Sequence, residues 1–294
     1  MLFLKKRKNK VLRFIAFFTV LAFSICSFII FLRDDMQFVI RDTVARFQNN
    51  EINNITVKND IATESVTIEE LKAYSNVTFN ESMLLVNEEY LLSENYKPES
   101  AEYEARAVTV NTCIVQAFTK LSKTLLEETG ETLYISSALR SFERQKEIKQ
   151  EKGDIAQNPG ASEHQTGLAV DVYVQYFAGE SFTKCESGQF INSNCDDYGF
   201  IIRYPFFGKL KTGITYEPWH LRYVGFPHAK IKNNSLITYE QYIEHFEPGV
   251  FYEYDGYIIS RQVENNIKVP KNFDSAVVSE DNTGHIFLTF CISE

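Results

Sequence analysis

Proline and glycine are scarce, 7 and 13 in 294 residues, which excludes a collagen-like chain. Basic residues are scarce too once the amino terminus is set aside. Residues 1–13 hold six bases (Lys5, Lys6, Arg7, Lys8, Lys10, Arg13) and no acid, so the remainder carries 24 bases against 39 acids. Binding to nucleic acid draws mainly on Lys and Arg neutralising phosphates, so a body this acidic excludes nucleic acid as a partner. Histidine is rare, with five in the chain, and there is a single Trp. What the chain does have is apolar mass: 44% hydrophobic residues and 24 Phe, enough for a packed core without disulfide staples.

Directly after the basic cluster, Phe14 to Leu32 is a run of uncharged, mostly apolar residues. As a helix it would be roughly 28 Å long, about the thickness of a bilayer hydrocarbon core. Its exit, Phe31-Leu32-Arg33-Asp34-Asp35, lacks the small residues a signal peptidase needs, so the expectation is a retained single-pass anchor in the cell membrane. Bases before it and acids after it place the amino terminus in the cytoplasm and the rest outside. Of five cysteines, Cys26 falls in this run and Cys113, Cys185, Cys195 and Cys291 follow it. Cys185 and Cys195 are near enough in sequence to close a small loop; free or buried thiols are the other reading.

Residues 33–81 are polar, rich in Asn, Glu and Thr, and read as an extracytoplasmic stalk with short helical pieces around Ile68 to Tyr74. The folded body is expected from near Met83. Between Tyr103 and Glu128 the positions Ile114, Ala117, Phe118, Leu121 and Leu125 recur at helical spacing, with Gly130 as the stop. Thr132 to Ser137 alternates as a strand, and Ser141 can cap a helix over 142–152. Leu168, Val170, Val172 and Val174 alternate with Asp171, which would then leave the apolar face of a strand. Two more strands are expected at 199–204 and 219–224, and two hairpins follow, around Asp255-Gly256 and around Asn282-Thr283-Gly284. Strands and helices in irregular order predict an α+β fold, a largely antiparallel sheet with flanking helices, followed by a small β-rich extension over 247–294.

Two of the five histidines lie in informative surroundings: Ser162-Glu163-His164-Gln165-Thr166-Gly167-Leu168-Ala169-Val170-Asp171 and Glu217-Pro218-Trp219-His220. Two imidazoles and a carboxylate, His164, His220 and Asp171, are a suitable catalytic Zn2+ set that leaves a position for water. Attack on an amide also needs a base, for which Glu217 is the candidate. Residues three apart on a strand face opposite sides, so Pro218 must bend the chain for Glu217 and His220 to meet. His228, His245 and His285 read as ordinary core or surface residues, and Trp219 as packing beside the site.

With these blocks, and with Met83 to Asn87, Leu139-Arg140-Ser141, Tyr198 to Pro205 and Thr212 to Gly225, the sequence resembles the zinc D-alanyl-D-alanine carboxypeptidases of the VanY type. VanX dipeptidases and peptidoglycan LD-carboxypeptidases and endopeptidases are related to them. The resemblance covers roughly 82–246 and rests on S-x-H-x-x-G-x-A-x-D followed by E-x-W-H. It implies zinc on His164, Asp171 and His220 with Glu217 as base. It further implies that Arg140 stabilises the substrate carbonyl or the tetrahedral intermediate and that Ser162 and Gln145 touch the peptide. Ala138-Leu139 stand where many members have Gly-Tyr, a departure that bears on the substrate pocket.

The implied substrates are peptidoglycan stem peptides or lipid-linked precursors ending in D-Ala-D-Ala, and cleavage of such precursors removes the target of glycopeptide antibiotics such as vancomycin. An LD-carboxypeptidase or endopeptidase would use the same metal set. A reading from another class is a non-catalytic wall-binding protein with structural zinc, against which the base Glu217 argues. Ser181-Phe182-Thr183-Lys184 and Lys211-Thr212-Gly213 imitate serine penicillin-binding peptidases, but Ser93-Glu94-Asn95 precedes the Ser-Lys pair instead of following it, so that chemistry is set aside.

Overall fold

The computed structural model describes residues 17–28, 52, 54–103 and 108–292. Of the apolar run 14–32, residues 17–28 are helical with exposed side chains, and the rest of the run lies outside the described residues. Among the described residues no helix is long and apolar enough to cross a membrane.

The segment expected to be a stalk is instead built into a sheet. It contributes β1 (Thr56–Val57), β2 (Thr63–Val66), α1 (Ile68–Lys72) and β3 (Val77–Asn80). Thr67 caps α1 in a capping box with Glu70, which explains the short helical piece expected there. A hairpin follows, β4 (Ser100–Tyr103) with β5 (Val108–Asn111), in place of the start of the long helix. That helix, α2, runs over Val115–Thr129 and ends at Gly130 with φ 72°. Its buried Phe118, Leu121 and Leu125 pack on a four-stranded sheet.

That sheet is antiparallel throughout, in the order β6-β7-β9-β8. Its strands are β6 (Tyr134–Ser137), β7 (Ala169–Tyr173), β8 (Phe200–Ile202) and β9 (His220–Tyr223), each inside a segment that alternation predicts. Val170, Val172, Leu221, Phe200 and Ile202 turn into the core beneath α2. Ser141 caps α3 (Phe142–Lys152) by accepting from the Arg144 backbone N–H. Further helices are α4 (Glu186–Asn194), α5 (Lys209–Thr212), α6 (His228–Ser235) and α7 (Tyr239–His245). The thiols Cys185 and Cys195 are free and stand at opposite ends of α4. A helix of that length separates them by roughly 15 Å, beyond the reach of a disulfide.

The β-rich extension forms both expected hairpins, β10 (Phe251–Tyr254) with β11 (Tyr257–Gln262), and β13 (Ser275–Glu280) with β14 (Ile286–Cys291). Positive φ at Asp255 and Gly256 makes the first turn. Between the hairpins β12 (Ile267–Pro270) pairs with β2. The larger sheet has the order β1-β10-β11-β14-β13-β3, all antiparallel except β13 with β3. The supposed stalk and the extension are therefore one β module. A core of Leu71, Ile258, Val278, Leu288 and Phe290 fills it, and a second cluster including Met83, Tyr239, Phe246 and Phe287 joins it to the rest.

Candidate active site

A row of side chains crosses the four-stranded sheet on the face opposite α2. In register, Ser137 pairs with Asp171, and Asp171 with His220. Strand alternation places these three on the face away from Val170, Val172 and Leu221, as the pattern around Asp171 predicts. His164 reaches the row from a turn of 3₁₀-helix over Glu163–Thr166. That turn is closed by Gly167 at φ 67°, where a Cβ would lie 2.7 Å from the Asn111 backbone nitrogen. Glu217 comes from a turn at Pro218-Trp219, in which the His220 N–H donates to the Glu217 carbonyl at 3.1 Å. The bend expected of Pro218 thus brings Glu217 Oε2 within 3.8 Å of His220 Nδ1. Trp219, expected to pack beside the site, packs instead against the core of the sheet with Val170, Val172 and Leu221.

Asp171 lies between the imidazoles, with Oδ2 at 3.2 Å from His164 Nε2 and Oδ1 at 2.9 Å from His220 Nδ1. One ligand atom from each of the three residues falls within 4.8 Å of the others. Each ring keeps its second nitrogen toward an oxygen: His164 Nδ1 lies 3.0 Å from the Ala138 carbonyl, and His220 Nε2 faces the Glu163 carboxylate. Ring nitrogens aimed at one carboxylate, with the opposite nitrogens turned to acceptors, are the donor set of a two-His, one-carboxylate metal site. The residues present fit zinc.

The electrostatics agree. Burial disfavours the Asp171 carboxylate, but His164 and His220 outweigh it and hold the group well below the usual range. Burial also disfavours the His220 imidazolium, and Asp171 and Glu163 overcome it, pushing the ring up to about 9. His164 moves the other way, lowered by burial against the pull of Asp171. Burial raises Glu217, with His220 opposing, so its carboxyl has more proton affinity than an exposed glutamate.

Arg140 lies along the row. Its Nε and Nη2 donate to Ser137 Oγ at 3.0 and 2.7 Å, Nη1 donates to Gln145 Oε1 at 3.2 Å, and Nη2 reaches Asp171 Oδ2 at 3.5 Å. These bonds engage four of its five N–H groups and leave one on Nη1. Gln145 is buried with its amide taken at both ends, since Nε2 donates to the Gln157 carbonyl at 2.9 Å. The side chain expected at the peptide therefore orients Arg140. Ser162 is buried at the head of the 3₁₀ turn that carries His164.

Sequence reasoning passes over three residues of this site. Glu163 is fully buried, and its Oε1 accepts from Arg203 Nε at 2.8 Å and Arg222 Nη1 at 3.2 Å. Arg203 and Arg222 are themselves buried. The available signal is an arginine in each of two apolar strand segments, Phe200-Ile201-Ile202-Arg203 and Leu221-Arg222-Tyr223, since an inward arginine needs a buried anion.

Comparison with known proteins places these motifs. The family description "VanY: D-alanyl-D-alanine carboxypeptidase" matches residues 107–226. A D-alanyl-D-alanine carboxypeptidase of Enterococcus faecium is 33% identical over 190 residues, 60% of this chain and 60% of that protein. The chain thus spans less than two thirds of that relative's length. YodJ of Bacillus subtilis (strain 168) is 35% identical over 185 residues, 55% of this chain and 67% of that one. The solved structure of the LdcB LD-carboxypeptidase is 30% identical, covers 62% of this chain and 98% of its own, and superposes with a TM-score of 0.52. On these matches, and on the motif residues gathered across one sheet face, the chain belongs to the VanY family of D-alanyl-D-alanine carboxypeptidases.

Proposed function

We propose that the chain is a zinc-dependent D-alanyl-D-alanine carboxypeptidase that removes the terminal D-Ala of peptidoglycan stem peptides or lipid-linked precursors. The observation that carries this reading is the convergence of His164, Asp171 and His220 with a half-buried glutamate 3.8 Å from one of the rings. Zinc held by those three side chains would polarise the scissile carbonyl and acidify a water. Glu217 accepts the proton of the attacking water and returns it to the departing amine of D-Ala. The raised proton affinity of Glu217 suits both halves of that transfer. Arg140, fixed by Ser137 and Gln145, directs its remaining N–H toward the carbonyl oxygen that gains charge.

A second reading, an LD-carboxypeptidase using the same residues, draws support from the likeness to LdcB. Mass spectrometry on defined pentapeptide and tetrapeptide stems decides between them. Loss of D-Ala from the pentapeptide alone is expected, and cleavage of the tetrapeptide alone would assign the LD activity. The wall-binding reading predicts no product from either.

The membrane anchor and outward orientation belong to the same proposal and rest on the six amino-terminal bases followed by the run 14–32. An outward-facing site would meet stem peptides where the wall is assembled, and trimming precursors there would deprive glycopeptide antibiotics of their target. Protease added to intact protoplasts should degrade the catalytic unit; protection would reverse the orientation.

A further inference from the structure

We propose that Glu163 is a positioning residue of the site, accepting the Nε2–H of His220 so that the Nδ1 lone pair of that ring is presented beside Asp171. This inference rests on the zinc reading above. A histidine that ligates through Nδ1 must carry its proton on Nε2, and that proton needs an acceptor in a buried site. His220 Nε2 and Glu163 Oε2 are both buried, neither has a hydrogen-bond partner, and they face each other at 3.7 Å. A buried polar atom left unpaired is destabilising. Closing that gap by a few tenths of an ångström satisfies both at once.

The rest of the carboxylate is already committed. Oε1 is held by Arg203 and Arg222, and Arg203 is held in turn by Glu240 through Nη1 at 3.2 Å and Nη2 at 2.5 Å. Two arginines against two carboxylates leave this set neutral, so the buried Glu163 carboxylate is matched by charge as well as by hydrogen bonds. Arg222 also donates to the Ser82 and Leu84 carbonyls at 3.0 and 2.8 Å, which fixes the group against a third segment of chain. The glutamate therefore cannot turn to another partner without breaking buried ion pairs. Its adjacency to His164 makes one short turn responsible for a ligand and for the orientation of the other imidazole.

The test uses the full-length chain. Zinc affinity, by competition with a chromophoric chelator, is measured for the wild type, Glu163→Gln and Glu240→Gln, with thermal melting of the metal-free proteins alongside. Both substitutions remove one negative charge from the same four-charge set, but only the first touches His220. Glu163→Gln is expected to weaken zinc binding by about 10- to 100-fold, and Glu240→Gln to leave it essentially unchanged while lowering the melting temperature. Equal losses of zinc in the two variants would assign the effect to the fold and overturn the proposal. Should Glu163→Gln fail to fold, the imidazole NMR spectrum of the zinc-loaded wild type decides. His220 is expected as the Nε2–H tautomer with a proton protected from exchange, and an Nδ1–H tautomer or a freely exchanging proton overturns it. A wild type that holds no zinc overturns this inference together with the metal reading. Zinc in the wild type with unchanged affinity in Glu163→Gln overturns this inference alone.

Discussion

His220 and His228 are both buried and only eight residues apart, yet they belong to opposite electrical worlds. His220 sits on the catalytic sheet among Asp171, Glu163 and Glu217, and those carboxylates push it up to about 9. His228 sits at the seam between the catalytic unit and the β module, where Nδ1 meets Tyr242 Oη and Nε2 meets Thr289 Oγ1, both at 2.7 Å. Its other close neighbours are aromatic rings, Tyr242 and Phe287, and burial alone pushes it down to about 3. Burial by itself therefore says little about what a histidine does. The formal charges at the wall of the cavity separate an imidazole set among carboxylates from a neutral strut that ties α6 to β14.

Substitutions can break that contrast, and the largest effect is expected at His220. His220→Ala removes a proposed ligand and should lose zinc and D-Ala release together, as should chelation of the wild type, with zinc read by elemental analysis. Glu217→Gln should separate the two properties. Zinc is expected to stay while kcat falls by roughly 10²- to 10⁴-fold, the range of general acid–base contributions. A variant with near-normal turnover would dismiss Glu217 as base, and one that loses zinc would make it a ligand. Arg140→Ala, which spares every ligand, should lower kcat by about 10²-fold with zinc content unchanged, measured on the same pentapeptide.

The seam calls for a pH experiment. Because the folded state holds His228 far below its ordinary value near 6.5, the unfolded chain binds a proton more readily than the native one between those limits. Stability from this group is complete above about pH 6.5 and declines as the pH falls toward 3, by up to about 1.4 kcal/mol per unit. His228→Gln should flatten that slope in acid melting curves and leave zinc content untouched. The smallest effect is expected for the cysteines. Cys113, Cys185, Cys195 and Cys291 should all alkylate in denaturant without reductant, and the melting temperature should not respond to reductant.

The convergence of His164, Asp171 and His220 was readable from the chain because they sit in two short motifs, and alternation around Asp171 is a local property. Glu217 was readable for the same reason, with Pro218 pointing to the bend. Arg203, Arg222 and Glu163 were not, since each looks like an isolated charge until three segments fold onto one another. The β module shows the same limit at larger scale. Thr63-Glu64-Ser65-Val66 has hardly more strand character than a polar linker, and it becomes a strand because β12 offers it a partner some 200 residues later. The hairpins at Asp255-Gly256 and Asn282-Thr283-Gly284 were legible because the turn itself is written in adjacent residues.

The strand order β1-β10-β11-β14-β13-β3 carries a consequence for biosynthesis. β14 is made after all its neighbours and yet occupies the middle of the sheet, between β11 and β13. A chain emerging residue by residue can complete the catalytic sheet as soon as β9 appears, while β1, β2 and β3 wait unpaired for partners some 200 residues behind them. The module then closes around a catalytic unit already formed, and a stop or cleavage ahead of Ile286 would leave β11 and β13 with open edges, turning a late truncation into an aggregation hazard rather than a small loss of sequence.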